Sequence, residues 1–357
     1  MMESAVLLTL LACWSVGEQE DHFETVPFTT EYATTTTAIV ETVHTNLECP
    51  DGQNARFYVV YDTTWGADMP VAVVLHSSAF DYVTTPDPAE PLGGQHFAGV
   101  SGYSRLQQGW GVQKVWETLG MHASIEPAEE NWGTLPSALL DAGVVGVYPI
   151  NCWGDLWHNE TGKFPNDLAS EYFERNGGAF AWWMVRFIND AEFAQSQGFY
   201  SGAVWDKDSL YLVGLGDGAR GATELVRRQP DGLKGLLLDS PIDDLEQWQA
   251  EVPGVDAGLA RIYYETDEGD VDLLHWSLKR MLNSTDYLDG VTIGLVHSSF
   301  DPKVPADNLT KTLNAMPNSA CVVDTEAAAH VATNSDLALA QAMVDFVVWD
   351  VDYEGCE

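Results

Sequence analysis

Positive charge is what this chain has least of. Sixteen Lys and Arg stand against 54 Asp and Glu, a formal net charge of −38, so phosphate backbones and anionic lipid surfaces are repelled and nucleic acid is excluded as a partner. The acidity runs along the whole chain instead of gathering into a tail, as on a solvated surface; scattered calcium loops, for instance Asp267, Asp270 and Asp272, are the alternative. Cysteine is scarce too. The five cysteines contain no C-x-x-C pair, which removes the zinc-type spacings, and neither a metal nor a cofactor is expected. No internal repeat is visible. What is abundant is apolar and aromatic: 45% hydrophobic residues with 13 each of Trp, Tyr and Phe in 357 positions, enough to bury a full core and incompatible with a disordered chain.

The first 13 residues put an apolar stretch, Ala5 to Ala12, directly before Cys13. That stretch is too short to span a bilayer. Its form resembles a bacterial lipoprotein signal, in which the cysteine is lipidated and becomes the mature N-terminus, although the leader has no Lys or Arg and carries Glu3. The expectation is an exported protein, either a cell-envelope lipoprotein or secreted, touching a membrane only through Cys13. An ordinary cleaved signal is the alternative. Beyond Cys13, four cysteines remain, Cys49, Cys152, Cys321 and Cys356; an even set in an exported protein predicts two disulfides, in any of three pairings, against four buried thiols.

Residues 14–36 are polar and Thr-rich and read as a tether. From residue 37 to 357 the pattern is one domain. It opens with a hairpin, TAIVETVHTNL and ARFYVVYDT around Asp51-Gly52, followed by VAVVLH (71–76) as the third and first fully buried strand. An insertion or lid is expected over about 83–135, rich in Gly and Pro. Helix and strand then alternate: LPSALLDAG, VVGVYPI, a helix over 179–197, SLYLVG (209–214), a helix over 219–229, GLLLDS (235–240), VTIGLVHS (291–298), CVVDT (321–325) and a closing helix over 337–350. Such alternation predicts an α/β fold, a mainly parallel sheet flanked by helices, with ligands at the carboxyl ends of the strands.

The run SLYLVGLGDGARGA (209–222) joins a buried strand to a helix through Gly214, Gly216 and Gly218. It resembles the G-x-S-x-G nucleophile elbow of the α/β-hydrolase superfamily, in its esterase and prolyl-peptidase-like branches, over roughly residues 40–350. In that register the nucleophile position is Gly216 and the serine is absent. A shift by one residue makes Asp217 the nucleophile instead, flanked by Leu215 and Ala219 where the glycines should be. The resemblance further assigns Asp301, in SSFDPKVP, as the acid and His330, in TEAAAHVAT, as the base, in the family's chain order. An Asp orients the imidazole and stabilises its cation while the imidazole takes the nucleophile's proton. Read without the family, Asp301 is a turn cap and His330 a lone loop histidine.

The oxyanion side of the resemblance falls on His76 and Ser77, where the family's His-Gly run keeps its His and loses its glycines, and on Ala219 past the elbow. After VVGVYPI, Trp153, Asp155, Trp157 and His158 offer either an aromatic binding wall or packing beneath the insertion. The implied function is an exported esterase- or peptidase-type protein that is catalytically impaired or binds a small molecule, ester or peptide. Two alternatives stand beside it: an active hydrolase using Asp217 or a water activated by His330 and Asp301, and a cell-surface interaction protein with a decayed pocket.

Overall fold

The computed structural model describes residues 29–34, 38–48, 54–66, 68–75, 134–150, 205–216, 218–227, 229–244, 288–301, 320–326, 331–334 and 336–356, with Gln247, Ala250, Glu251, Leu278, Val304 and Met316 between them. These residues hold a nine-stranded sheet in the order β1-β2-β3-β5-β4-β6-β7-β8-β9. The strands are β1 (Thr29–Thr34), β2 (Ala38–Glu48), β3 (Asn54–Asp62), β4 (Met69–Leu75), β5 (Val145–Ile150), β6 (Trp205–Leu215), β7 (Leu233–Asp239), β8 (Thr292–Ser298) and β9 (Cys321–Thr325). β1, β2, β3 and β5 pair antiparallel in succession, and every pairing from β5 through β4 to β9 is parallel. The α-helices whose bounds are described are α1 (Thr134–Asp141), α2 (Gly218–Arg227) and α3 (Leu337–Trp349).

The central parallel strands read as apolar runs because both of their faces are covered. Val71, Val73 and Leu75 of β4, Leu212 of β6 and Leu236 and Leu238 of β7 point into one core, closed by Ala219, Ala222, Leu225 and Val226 of α2. The intervening Ala72, Val74, Val213, Leu237 and Val296 point into the other, closed by Leu135, Ala138 and Leu139 of α1 and Leu339, Ala340, Met343, Val344 and Val347 of α3. Three layers result, helix on sheet on helix. Asp336 caps α3 by accepting from the Leu339 N–H at 3.0 Å. Among the described residues no helix is long and apolar enough to cross a membrane.

The tether expected over 14–36 ends sooner than its composition suggests. Thr29–Thr34 is the edge strand β1, in register with β2 from Thr29 against His44 to Thr34 against Ile39. Threonine and tyrosine favour a pleated strand, and TTEYAT lacks the apolar alternation that marks one in a sequence. With β1 added, VAVVL is the fourth strand and not the third, and the expected insertion follows β4. The insertion, the helix over 179–197, the calcium-type aspartates and the hairpin bend at Asp51-Gly52 lie outside the described residues.

One of the three disulfide pairings is realised in part. Cys321, on β9, bonds Cys356 in the C-terminal tail; Cys13, Cys49 and Cys152 lie outside the described residues.

Candidate functional site

The chain runs from β4 to β5 on one side of β4 and then crosses back to place β6 on the other. In open α/β sheets ligands bind at such a reversal, at the carboxyl ends of the strands beside it, here β4 and β6. Leu75, the last residue of β4, pairs with Gly214 of β6. Leu215 pairs with Asp239 of β7, which in turn pairs with Val296 of β8. The four strand ends are therefore level, and the residues after them share one edge of the sheet.

Gly214 and Gly216 shape the corner there, for different reasons. A Cβ on Gly214 would lie 2.8 Å from the Ala219 nitrogen and 3.0 Å from the Ala222 Cβ, so only glycine lets α2 return this close over its own strand. Gly216 has φ +54°, the left-handed conformation that side chains with a Cβ avoid. Its N–H donates to the Asp239 carbonyl at 2.8 Å, and its own carbonyl accepts from the Ala219 N–H at 3.1 Å. The second bond fixes the place of Ala219, which is 1% exposed and closes the turn with its N–H. A sharp, buried strand-to-helix turn with its central residue at positive φ is the geometry by which a nucleophile elbow displays a side chain. Here the residue at positive φ is Gly216.

Asp301 sits in the turn that follows β8. Its N–H donates to the Ser298 carbonyl at 3.1 Å, and its Oδ1 accepts from the Val304 N–H at 3.3 Å, so it does cap its own turn. Phe300 beside it is exposed. Below this turn, Asp324 of β9 ties the two strand ends together, accepting from Ser299 Oγ at 2.6 Å and the Ser299 N–H at 3.1 Å, with His297 Nε2 at 3.9 Å. Partial burial works against ionisation of Asp324, but the Ser299 hydroxyl and N–H and the nearby His297 outweigh it and hold the carboxyl below its ordinary value of 3.8. A depressed folded value stabilises the fold above the unfolded value, and that stabilisation is lost as pH falls through the folded one. Asp324→Asn is therefore expected to lower the melting temperature slightly at pH 6–7, the deficit closing as pH is taken below about 3.8; a deficit constant across a pH series of thermal melts would sever Asp324 from the acid response.

His330, Asp217, His76, Ser77, Trp153, Asp155, Trp157 and His158 lie outside the described residues. The chain positions beside three of them are defined. Ala332 and Thr333, just past His330, are bonded to the end of β7; Leu75, just before His76, lies against Gly214; and Gly216 and Gly218 flank Asp217. The residue that sequence reasoning passed over is Asp239. It is fully buried, and its carboxylate accepts from Ser240 Oγ (3.0 Å), the Ala332 N–H (3.2 Å), the Thr333 N–H (2.7 Å) and Thr333 Oγ1 (2.5 Å). Its position directly after the apolar run Leu236-Leu237-Leu238, at a strand's carboxyl end, was the available signal. Among the described residues, no three His, Cys, Asp or Glu side chains form a metal-binding group.

The sheet order, the covering of both faces and the glycine corner after β6 define the α/β-hydrolase fold. A puromycin-hydrolysing peptidase of Mycobacterium tuberculosis shares that fold with this chain, at a TM-score of 0.51 and 12% identity, over 90% of this chain and 47% of its own. An acylaminoacyl peptidase of Pyrococcus horikoshii matches at a TM-score of 0.48 and 13% identity over 93% and 43%, and acetyl xylan esterase 1 of a Thermoanaerobacterium species at 0.48 and 9% over 87% and 87%. The chain thus spans less than half the length of either peptidase and most of the esterase's. No family model matches the sequence, and no curated protein sequence does.

Proposed function

We propose that the chain is an exported α/β-hydrolase-like protein of the esterase or peptidase type that keeps a pocket for a small molecule, ester or peptide and has lost covalent catalysis at its elbow. The observation that carries this reading is Gly216, held at φ +54° in an intact strand-to-helix corner. A residue with a Cβ costs roughly 1–2 kcal/mol in that conformation, a strain that hydrolases bear at the nucleophile because it exposes the attacking atom. Glycine relieves the strain and removes the atom while leaving the corner in place. Asp301 and His330 fill the acid and base roles in this reading, and His76 and Ser77 the oxyanion side. Export is supported by the apolar stretch before Cys13 and by the Cys321–Cys356 disulfide, since such bonds persist in oxidising compartments.

Restoring the side chain tests the proposal. Gly216→Ser is expected to raise turnover of an activated acetate ester by roughly 10²-fold or more over the parent, and the added His330→Ala substitution is expected to remove the gain. Parent activity that already depends on His330 would identify an enzyme working by another route. A correctly folded Gly216→Ser protein with no gain would overturn the retained-site reading.

A further inference from the structure

The described residues with positive φ and a side chain are Asp68, Gln229, Ser240, Val331 and Asp350. Two of them face each other: Ser240, at φ +51°, accepts through Oγ from the N–H of Val331, at φ +57°, at 2.9 Å. A β-branched residue at positive φ is a rare and costly conformation that persists only where its surroundings over-determine it. Both residues are buried.

Their surroundings are organised by Asp239. The Asp239 carbonyl accepts from the Gly216 N–H, so its backbone is fastened to the elbow. Its Oδ1 takes Ser240 Oγ and the Ala332 N–H, and its Oδ2 takes the Thr333 N–H and hydroxyl. Ser240 adds a third connection, its N–H donating to the Val296 carbonyl of β8, two residues before the turn that carries Asp301. One dipeptide at the end of β7 therefore binds the elbow, the strand leading to Asp301 and the segment that follows His330. Each of these four groups is a donor, as an acceptor-only carboxylate demands. Donors and a carboxylate buried this deeply are costly to separate, so the two strands of chain hold a fixed spacing.

We propose that Asp239 is the positioning residue of the site: its carboxylate holds Ala332 and Thr333, and through them sets His330, one residue before Val331, relative to Gly216. The proposal rests on His330 being the base of the reading above. It assigns Asp239 no contact with substrate. Asp239→Asn is isosteric and replaces one acceptor oxygen by an NH₂ group that faces donors, so it breaks the clamp without opening a cavity. Thr333→Val removes a single donor of the same clamp and serves where the first variant does not fold.

The readouts separate positioning from mere stability. Amide hydrogen exchange at Ala332 and Thr333 is expected to speed up roughly tenfold or more in either variant, while the β7 and β8 interior amides keep their parental rates. In the same samples the NMR titration of the His330 ring is expected to move by about half a pH unit or more, with His297 unchanged. In the Gly216→Ser background, Asp239→Asn is expected to lower kcat by roughly 10²-fold with little change in KM, as misplacement of a reacting group does. Faster exchange with an unaltered His330 titration would overturn the proposal and leave Asp239 a purely structural residue. Absence of any activity in Gly216→Ser would remove the catalytic reading alone, and the exchange and titration results would still decide the role of Asp239.

Discussion

Gly214→Ala is expected to lower stability by roughly 3 kcal/mol, at the top of the range for overpacking a core. The new methyl would fall 2.8 Å from the Ala219 nitrogen and closer still to the Ala219 Cα. Backbone cannot rotate away as a side-chain tip can, so α2 would have to lift from β6, and Ala222, Leu225 and Val226 would lose part of their packing with it. Gly290→Ala is the matched control. Gly290 has φ +77° and open space where its Cβ would lie, so that substitution meets only conformational strain, about 1 kcal/mol after the gain from a stiffer unfolded chain. Urea unfolding of the two variants would show it as a much larger fall in midpoint for Gly214→Ala at similar slope. Equal midpoints would mean that strand and helix are not in the close contact that an elbow requires.

That contrast also marks how far the fold was legible in the sequence. Strands β4 to β8 announced themselves because burial on both faces gives each an apolar run, β9 showed only the short run Cys321-Val322-Val323, and the glycine spacing 214-216-218 located the corner after β6 because only glycine meets both of its demands. β1 was hidden: TTEYAT satisfies the backbone of a strand without the apolar alternation that betrays a half-buried one. Asp239 was hidden for a different reason. Its partners Ala332 and Thr333 lie 93 and 94 residues away, and no local pattern distinguishes an aspartate that ends a strand from one that anchors a distant loop. Gly216 itself was read for what it lacks. Its position gains meaning from its bond to Asp239, which fastens the corner after β6 to the segment beyond His330.

Removing the Cys321–Cys356 bond is expected to cost roughly 3–4 kcal/mol. The cross-link joins residues 35 apart, and closing a loop of that size in the unfolded chain accounts for about that much by loop entropy. In a chain of this length it corresponds to a fall of roughly 5 °C in melting temperature. The folded side has its own stake in the bond. β9 is the last strand of the sheet, held by β8 on one edge, and the tail reaches it only by reversing after α3 at Asp350, whose left-handed backbone lets the N–H groups of Asp350 and Val351 both donate to the Asp345 carbonyl. Cys321 is 2% exposed, and Cys356 packs against the same core as α3, so the bond fastens the tail to β9. Reductant acts on every disulfide of the chain, so the decisive sample is the paired Cys321→Ala, Cys356→Ala variant compared with the parent under oxidising conditions. A loss near 3 kcal/mol places the covalent tie among the larger contributions to the sheet's far end, on the side where Asp324 and Ser299 support the turn of Asp301. A loss below 1 kcal/mol would show that the tail is held by its packing, and the support given to export by this bond would fall with it.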